Sequence, residues 1–547
     1  MTLGSSGPRL QRTPFAAISL LIAGACSTAA QAGAVLTRHV PDAVAYGQAQ
    51  KLAAVPADSK LDLAISLPLR NQDQLQAFLK SLYDPASLEY RQYLSVAEFT
   101  AEYGPSQADY GALQSFAAAH HLTVTATSAN RQVLDVAGRA ADIEEAFQLQ
   151  LNNYRDAASG RSFYAPDREP SSDLPVAINH ITGLDNFSKP VAHYRIDATA
   201  DKKYGTGSGP RGSFLGSDVR AAYYGGSALT GAGQQVGLLE LGSYAVSDVQ
   251  MYFQQVGQPL NVPVVGVSTD GTSVSCSSTC NDGEQVLDIE EAISMAPGLS
   301  QLTVYVGKHA VSVLNRMASD NSAKQLSSSW GWDLTSTKVD DPIFQEFAAQ
   351  GQSFVDATGD YGYQLKKGGV WPADDQYVTA VGGTDLVTNG AGGSWQSETG
   401  WVDSGGGPSP DAIPIPYYQV PFINASNQGA VTLRNVPDIA GLADTVFYIC
   451  SEGSCQTGWG GTSFAAPLWA GFIALANEQA TAEGKPTLGF LNPAIYAIGG
   501  STQYAADFHD ITSGYNGMFT AVGGFDLVTG FGSPQGQALI DALIQGN

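Results

Sequence analysis

The sequence has little charge, and basic residues are the scarcer kind. Only 14% of its 547 residues are charged, with 27 Lys and Arg against 51 Asp and Glu, which gives a formal net charge of -24 at pH 7. This balance excludes a nucleic-acid-binding protein, which would need a basic surface. Carboxyl groups titrate near pH 4, so an acidic medium would neutralise many of them and relieve their mutual repulsion. The composition fits a protein that works in acid, and ordinary acidic solubility explains it equally well.

After the N-terminal segment the sequence has no long apolar run, which excludes a transmembrane helix in that part of the chain. The N-terminus carries Arg9 and Arg12, then an apolar run over residues 15–25, then the small-residue stretch Ala30-Gln31-Ala32. A basic segment, an apolar segment and a cleavage site in this order predict a secretory signal peptide over residues 1–32. We therefore expect a secreted, extracellular protein without a membrane partner.

Cysteine is scarce as well. The chain has five, and Cys26 lies in the predicted signal peptide, without the leucine three residues earlier that a lipoprotein acylation site would need. The other four form two closely spaced pairs, Cys276 with Cys280 and Cys450 with Cys455. In an oxidising compartment two small-loop disulfides are the first expectation, and a four-thiolate zinc site is the second.

Histidine is scarce too, which matters for the candidate nucleophile Ser463. This serine lies in the segment 460–467, Gly-Gly-Thr-Ser-Phe-Ala-Ala-Pro, directly before a run of helix formers. A hydroxyl at a helix N-terminus lies in a field that favours the negative charge formed in acyl transfer. Of the seven histidines only His309 and His509 lie beyond residue 200, and neither precedes a glycine, as the base of a subtilisin-like peptidase does. The supply of histidines therefore argues against a Ser-His-Asp triad and a neutral subtilisin-like peptidase.

Residues 33–190 show a self-contained alternation of strand-like and helix-like segments. In chain order we predict a strand at 61–65, helices at 72–82 and 108–121, strands at 122–126 and 132–136, a helix at 142–147 and a strand at 148–154. Strands that return on either side of helices predict an α+β sandwich of the ferredoxin-like kind. This region shows no catalytic constellation.

The rest of the chain divides at a Gly-rich segment. Residues 191–212 are poor in apolar residues and basic around Lys202 and Lys203, which predicts an accessible linker. Over residues 213–547 strand-like runs recur between helical or loop segments, at 235–241, 301–306, 325–329 and 353–358. This alternation predicts an α/β domain with a mostly parallel, buried sheet and helices on both faces.

Carboxyl groups are the available proton acceptors for Ser463. Helical spacing places Glu284 and Asp288 on one face, where two carboxyls can share a proton. Asp360 lies between Gly359 and Tyr361 at a predicted strand end, where a neutral carboxyl could donate a hydrogen bond to an oxyanion. Taken singly, such an acidic helix face is usually just solvated, and such a Gly-flanked aspartate is usually just a turn.

Together, and in this order along the chain, these residues resemble the sedolisin family of serine-carboxyl peptidases. The resemblance extends over nearly the whole chain after the signal peptide and includes the segments 239–242, 327–331, 377–384, 404–407 and 437–441. It implies a subtilisin-like catalytic domain with Ser463 as the nucleophile and Glu284 as the general base and then acid. It further implies that Asp288 orients Glu284 and that Asp360 stabilises the oxyanion.

The resemblance also implies roles outside these four residues. Glu240 and Trp330 match positions that extend the hydrogen-bond network of the carboxyls. Residues 33–190 resemble the activation propeptide of the family, which inhibits the enzyme, assists its folding and is removed in acid by a cut within the linker. The mature enzyme is then expected to begin between Asp201 and Ser213.

A calcium site is the last implied feature. Two aspartates and main-chain carbonyls of a tight Gly-rich loop supply the hard oxygen ligands that calcium prefers. The match implies one structural Ca²⁺ held by the side chains of two residues and the carbonyls of three, namely Asp510, Asp526, Ile511, Val522 and Gly524. The connecting loop is shorter than in the family member that this segment resembles, and Val522 stands where that family member has glycine, a change that a main-chain ligand tolerates.

The sequence thus predicts a secreted, acid-acting serine-carboxyl endopeptidase for polypeptides, made as a self-processing zymogen and expected to be monomeric. Its activity should fall as the pH rises through the carboxyl range, because the oxyanion donor must stay protonated. One alternative is a tripeptidyl exopeptidase of the same family. Another is a non-catalytic secreted binding protein on a peptidase scaffold, whose signature would be the loss of Ser463, Glu284 or Asp360, and all three are present.

Overall fold

The computed structural model describes residues 36–197, 205–277 and 279–546. The predicted signal peptide, residues 1–32, and the boundary at Asp201 lie outside the described residues. In the described part no helix is long and apolar enough to cross a membrane.

The N-terminal unit is the predicted α+β sandwich. Its helices α1 to α5 are, in order, Asp42–Ala45, Gln72–Leu82, Val96–Glu102, Gln107–Ala119 and Ala140–Phe147. Its strands β1 to β7 are, in order, Ala49–Ala54, Lys60–Ser66, Thr123–Thr127, Val133–Arg139, Leu151–Asp156, Ser162–Pro166 and His180–Thr182. The sheet order β3-β4-β2-β7, antiparallel throughout, is ferredoxin-like. Apolar residues of α4 and α5 pack on the inward residues of this sheet, because the period-two and period-3.6 patterns each leave one apolar face.

Helices α2 and α3, inserted between β2 and α4, attach this unit to the C-terminal one. Leu75 and Leu79 of α2 and Phe99 of α3 belong to the same apolar core as residues of the larger unit. The hydroxyl of Tyr83, at the end of α2, donates a 2.6 Å hydrogen bond to the carbonyl of Ala348. The N-terminal unit is therefore packed against the larger unit and shares an apolar core with it.

The described residues of the C-terminal unit and the segment before it supply the remaining elements. The helices α6 to α15 are, in order, Gly216–Tyr223, Val246–Gln255, Gly283–Met295, Ala310–Asp320, Asp341–Gln350, Leu365–Gly368, Thr462–Ala482, Asn492–Gly499, Tyr504–Asp507 and Gly536–Gln545. The strands β8 to β16 are, in order, Val191–Ala192, Arg195–Ile196, Gln235–Glu240, Val264–Ser268, Gln301–Val306, Gln325–Ser328, Trp330–Gly331, Ser353–Ala357 and Thr379–Thr388. The strands β17 to β24 are, in order, Trp395–Gly400, Gly407–Pro408, Asn435–Val436, Ile439–Leu442, Phe447–Ser451, Ser454–Gly460, Phe508–His509 and Ser533–Pro534.

The main sheet has the order β11-β12-β10-β13-β15-β16-β17, with β20 also paired to β16. All neighbours are parallel except β17. Adjacent residues of a strand face opposite sides, so Leu238 joins the core formed with α8 and α12, and Leu239 joins the core formed with α9 and α10. The predicted mostly parallel sheet with helices on both faces is confirmed.

Both cysteine pairs are disulfides, as first expected. Cys276 is bonded to Cys280, and Cys450 is bonded to Cys455. The second bond joins directly opposed residues of the β21–β22 hairpin. All four thiols are thus consumed, and a four-thiolate zinc site is excluded.

The start of the predicted linker pairs with strands of the C-terminal unit, while the side chains of Val191 and Ile196 stay exposed. Strand β8 pairs antiparallel with β14, with Ala192 opposite Trp330, and β9 pairs antiparallel with β22, with Ile196 opposite Trp459. The expectation of accessibility rested on the Gly-rich and basic composition of the residues after 200. The preceding residues 191–197 contain no glycine, and their main chain adds short strands to β14 and β22 of the C-terminal unit.

Candidate active site

The candidate nucleophile Ser463 is the second residue of α12, directly after the tight turn that ends β22. At this turn Gly461 has a φ of 136°, a conformation that L side chains rarely adopt. A Cβ at Gly461 would lie 2.2 Å from the carbonyl oxygen of His193 and 2.6 Å from Oδ2 of Asp360. The glycine therefore lets a carbonyl and a carboxyl approach the N-terminus of the helix.

A carbonyl of residues 191–197 occupies this position. The main-chain N–H of Ser463 donates a 3.1 Å hydrogen bond to the carbonyl oxygen of His193. On its other side, the N–H of His193 donates a 3.1 Å hydrogen bond to the carbonyl of Ser329. A carbonyl held by an N–H at a helix N-terminus has the geometry of a substrate carbonyl in an oxyanion hole.

Asp360 follows β15 and approaches the same carbonyl. Its Oδ1 accepts hydrogen bonds from the N–H of Thr462 at 2.9 Å and from the Thr462 hydroxyl at 3.0 Å. Its Oδ2 makes no hydrogen bond among the described residues. Burial raises the pKa of Asp360 to about 7, although the Thr462 hydrogen bonds oppose the rise. In acid the carboxyl is therefore neutral, and Oδ2 can carry the proton that an oxyanion needs.

Glu284 and Asp288 lie on α8 and are buried, because this helix is surrounded by protein on all sides. The interpretation of a solvated acidic face is thereby excluded. Burial, and then the neighbouring charge of Asp288, raise the pKa of Glu284 well above its usual range. The Ser463 hydroxyl lies beside Glu284 and opposes this rise in pKa, although the two groups are not aligned for a hydrogen bond. Such contacts often tighten only with the reacting substrate.

Glu240 and Trp330, the two residues for which the resemblance implied a place in the carboxyl network, lie in the same buried region as Asp288, together with Ser329. The Ser329 hydroxyl donates a 2.8 Å hydrogen bond to Oδ1 of Asp288, and Nε1 of Trp330 donates a 3.0 Å hydrogen bond to Oε2 of Glu240. Burial, and then the charge of Asp288, raise the pKa of Glu240. Three carboxyls thus share a buried region next to Ser463 and cannot all be ionised together.

The structure adds two residues to the site, Ser329 and Thr462, that the sequence analysis did not identify. Both lie in segments that carried the resemblance, but a serine or threonine next to a motif has no signature of its own.

The two histidines of the C-terminal unit lie away from Ser463. Nε2 of His309 is 3.1 Å from the carbonyl oxygen of Asp62, and the ring of His509 stacks on Trp395.

The side chain of His193 fills a pocket walled by glycines. A Cβ at Gly331 would lie 2.4 Å from Nε2 of its ring, and Cβ atoms at Gly359 and Gly368 would also contact the ring. Burial lowers the pKa of His193 to about 4. Above that pH the pocket therefore holds an uncharged, flat side chain on the N-terminal side of the carbonyl.

The residues of the implied calcium site also come together. The N–H of Gly524 donates a 3.0 Å hydrogen bond to Oδ1 of Asp510, which joins the two loops. Oδ2 of Asp526 accepts a 3.1 Å hydrogen bond from the N–H of Val522. Among the described residues, no donor reaches the carbonyls of Ile511, Val522 and Gly524. Two carboxylates and three free carbonyls fit the oxygen ligands that calcium prefers.

Comparison with known proteins matches both units of the chain to protein families. Residues 47–187 match the model of the Pro-kumamolisin activation domain, and residues 295–487 match that of the Subtilase family. Over 550 residues the chain is 32% identical to kumamolisin of Bacillus sp. (strain MN-32), an alignment that covers 93% of this chain and 95% of kumamolisin. The chain belongs to the sedolisin family of serine-carboxyl peptidases.

Other members of the sedolisin family are similar at lower identity. A tripeptidyl-peptidase of Aspergillus fumigatus, sed5, is 28% identical over 538 residues, which cover 83% of this chain and 88% of that protein. The solved structure of Pseudomonas sedolisin, a serine-carboxyl proteinase complexed with two molecules of pseudo-iodotyrostatin, matches with a TM-score of 0.54 at 27% identity. That match covers 63% of this chain and 99% of the sedolisin chain. This sedolisin-family peptidase thus combines a subtilisin-like catalytic fold with an activation propeptide.

Proposed function

We propose that this sedolisin-family peptidase is a secreted, acid-acting endopeptidase made as a self-processing zymogen, and that its first cut falls between His193 and Tyr194. The observation that carries the proposal is the 3.1 Å hydrogen bond from the N–H of Ser463 to the carbonyl oxygen of His193. This contact holds one peptide bond of the chain as a substrate would lie, beside the Asp360 carboxyl and the Ser463 hydroxyl.

In the proposed reaction Oγ of Ser463 attacks the carbonyl carbon of His193 while its proton moves to Glu284. The negative charge that forms on the carbonyl oxygen is stabilised by the N–H of Ser463 and by the protonated carboxyl of Asp360. As the C–N bond breaks, Glu284 returns the proton to the nitrogen of Tyr194, which leaves as a new N-terminus. Water, deprotonated by Glu284, then hydrolyses the ester between His193 and Ser463.

The reaction requires Glu284 ionised and Asp360 neutral at the same pH. Asp288 and Glu240 act as positioning residues: each is buried beside the other, and the charge of Asp288 raises the pKa of Glu240 as it does that of Glu284. Because burial raises the pKa of Asp360 to about 7, its donor proton is lost as the pH rises towards neutrality. Activity confined to acid follows from this loss.

The proposed domain boundaries follow from the same contacts. We assign residues 1–32 to a signal peptide, 33–190 to the activation propeptide, 191–212 to the linker that is cut and 213–547 to the peptidase. Residues 191–197 fill the cleft, so the uncut chain is its own inhibitor. Further trimming after the first cut would bring the mature N-terminus to the expected range between Asp201 and Ser213.

Endopeptidase action is supported by the path of the chain through the cleft. Val191 is the third residue before the proposed bond, and the chain continues uninterrupted from it into Pro190 and the whole propeptide. A tripeptidyl exopeptidase would instead hold a free amino group at the position of Val191. The similarity to a tripeptidyl-peptidase keeps that activity as the second candidate, and peptides with acetylated N-termini distinguish the two because only an endopeptidase cuts them.

The proposed partners follow from the activity: polypeptide substrates, the chain's own propeptide and one structural Ca²⁺ in a monomeric enzyme. The calcium ligands would be the side chains of Asp510 and Asp526 and the carbonyls of Ile511, Val522 and Gly524. The ion would hold the two loops together and would not touch the reacting atoms.

The proposal is tested with the purified zymogen, shifted from neutral pH to about pH 4 and followed by intact mass and N-terminal sequencing. We expect a first product that begins at Tyr194, formed at a rate independent of protein concentration, because the cut is intramolecular. The Ser463→Ala zymogen should remain uncut, and Ser426→Ala, on the exposed surface, should process like the parent. Processing of Ser463→Ala at the parent's rate would refute the assignment of the nucleophile.

A further inference from the structure

The residues that follow the proposed bond lie in contacts made by the peptidase unit. The ring of Tyr194 stacks on Trp459, with centroids 5.1 Å apart and an interplanar angle of 28°. A Cβ at Gly283, the first residue of α8, would lie 2.9 Å from the Trp459 ring and 3.2 Å from the Tyr194 hydroxyl. The glycine therefore leaves room for two stacked rings directly beside Glu284.

The next residue, Arg195, meets three groups of the peptidase unit. Its Nη1 donates a 2.7 Å hydrogen bond to Oδ2 of Asp403. Its Nη2 donates to the main-chain carbonyl of Asp360. Its guanidinium also lies over the ring of Tyr361, 5.1 Å from the ring centroid. A carboxylate, a carbonyl and an aromatic face around one planar cation form a site that suits arginine better than lysine.

These contacts belong to the cleft and do not depend on the remainder of the linker. Arg195 pairs with Gly460, and Ile196 pairs with Trp459, in the antiparallel ladder between β9 and β22. An extended substrate that adds a strand to β22 would adopt the same register, since the ladder uses main-chain groups only. Its side chains would then alternate between the two sides, as Tyr194 and Arg195 do.

We propose that the mature enzyme selects peptide bonds followed by an aromatic residue and then an arginine, with Trp459 binding the aromatic ring and Asp403 with Tyr361 binding the guanidinium. This inference rests on the proposed function, because it concerns the substrates of the same cleft. It names the sequence class on the leaving-group side of the bond, and it makes Asp403 and Trp459 residues that determine specificity.

The test uses an internally quenched peptide that copies residues 188–197, Ser-Lys-Pro-Val-Ala-His-Tyr-Arg-Ile-Asp, and versions with Tyr194→Ala, Arg195→Lys or Arg195→Gln. Each is cut by the mature parent enzyme, by Asp403→Asn and by the control Asp320→Asn, whose carboxylate pairs with Arg316 on the surface. Mass spectrometry confirms the cleaved bond, and kcat/KM is measured for each combination. The combinations of Arg195→Gln with Asp403→Asn form a double-mutant cycle.

For the parent and for Asp320→Asn we expect Arg195→Gln to lower kcat/KM about tenfold, Arg195→Lys to lower it less, and Tyr194→Ala to lower it about tenfold. For Asp403→Asn the loss on Arg195→Gln should shrink to about twofold. An equal loss in parent and Asp403→Asn, or no loss in either, overturns the inference.

The two proposals fail in different ways. An enzyme that digests an unfolded protein but shows no preference for Tyr-Arg after the cleaved bond refutes the specificity and leaves the peptidase activity standing. An enzyme that cuts neither the unfolded protein nor any of the peptides in acid refutes the proposed function itself.

Discussion

The main-chain N–H of Ser463 donates a hydrogen bond to the carbonyl oxygen of His193. The two residues come from opposite parts of the chain, one from the segment that follows the propeptide and one from the start of α12. This contact relates inhibition to activation, because a segment that fills the cleft in a substrate's position both blocks the enzyme and offers it a bond to cut.

Asp360 gives the most direct test of the oxyanion assignment. Asp360→Ala should lower kcat of the mature enzyme by about 10² to 10³, since a preorganised donor to the oxyanion is removed. Asp360→Asn retains an N–H donor and should lose less, and its activity should no longer decline as the pH rises towards about 7, where the parent carboxyl ionises. The measurement is a pH profile of kcat. An Asp360→Asn profile identical to that of the parent would assign the alkaline decline to another group.

Asp288 should affect the acid side of the pH profile. Its charge raises the pKa of Glu284, so Asp288→Asn should lower that pKa and move the acid limb of kcat/KM to lower pH. The carbonyl oxygen of the asparagine can still accept the Ser329 hydrogen bond. Glu284→Gln, in contrast, should lower kcat at least about 10³-fold at every pH. The exposed control Glu483→Gln should retain the parent profile, and an acid limb that moves upward in Asp288→Asn would contradict this effect of the Asp288 charge.

Stability should fall as the pH rises from about 4 to 8. A carboxyl whose pKa is higher in the folded than in the unfolded protein binds more protons when folded between the two pKa values, so stability declines across that interval. Burial raises the pKa of Asp360 and of Asp374 to about 7 and that of Glu346 to about 8. We therefore expect the Tm of the uncut Ser463→Ala zymogen to fall by several degrees from pH 4 to pH 8.

Glu346 provides an internal control for this pH dependence. Its carboxylate accepts hydrogen bonds from the side chains of Asn130 and Gln132 of the N-terminal unit. In Glu346→Gln the decline of Tm between pH 6 and pH 8 should be shallower than in the parent zymogen, because the group with the highest of these pKa values no longer titrates. A Glu346→Gln curve parallel to that of the parent would assign the decline to other carboxyls.

Calcium should stabilise the mature enzyme without entering its chemistry. Chelation with EGTA should lower Tm by several degrees, and excess Ca²⁺ should restore it, because an ion at about 100 times its Kd contributes about 2.7 kcal/mol. Asp510→Asn should lower Tm and abolish the response to EGTA, whereas Asp320→Asn should keep it. Mg²⁺ should not replace Ca²⁺, since it demands a tighter octahedral shell. An Asp510→Asn enzyme that still responds fully to EGTA would place the ion elsewhere.

Several elements could be predicted from the sequence because the pattern that forms them is local. Helix Gln72–Leu82 and strand Gln301–Val306 have the predicted limits, since amphipathic periodicity and a short apolar run suffice to define them. The Glu284 and Asp288 pair follows from helical spacing alone. Its burial could not be predicted, because the residues that surround α8 come from strands and helices distant in the chain.

The sequence by itself determined the chemical inventory: a serine at a helix N-terminus, carboxyls in place of a usable histidine, two cysteine pairs and a propeptide pattern before an α/β domain. Only the tertiary structure decided which peptide bond lies at Ser463 and what Tyr194 and Arg195 contact. The path of residues 191–197 depends on strand pairing with β14 and β22, whose main-chain hydrogen bonds are indifferent to side-chain identity. Strand pairing through main-chain groups leaves no pattern in the sequence of either strand, so the folded structure is needed to identify which strands pair.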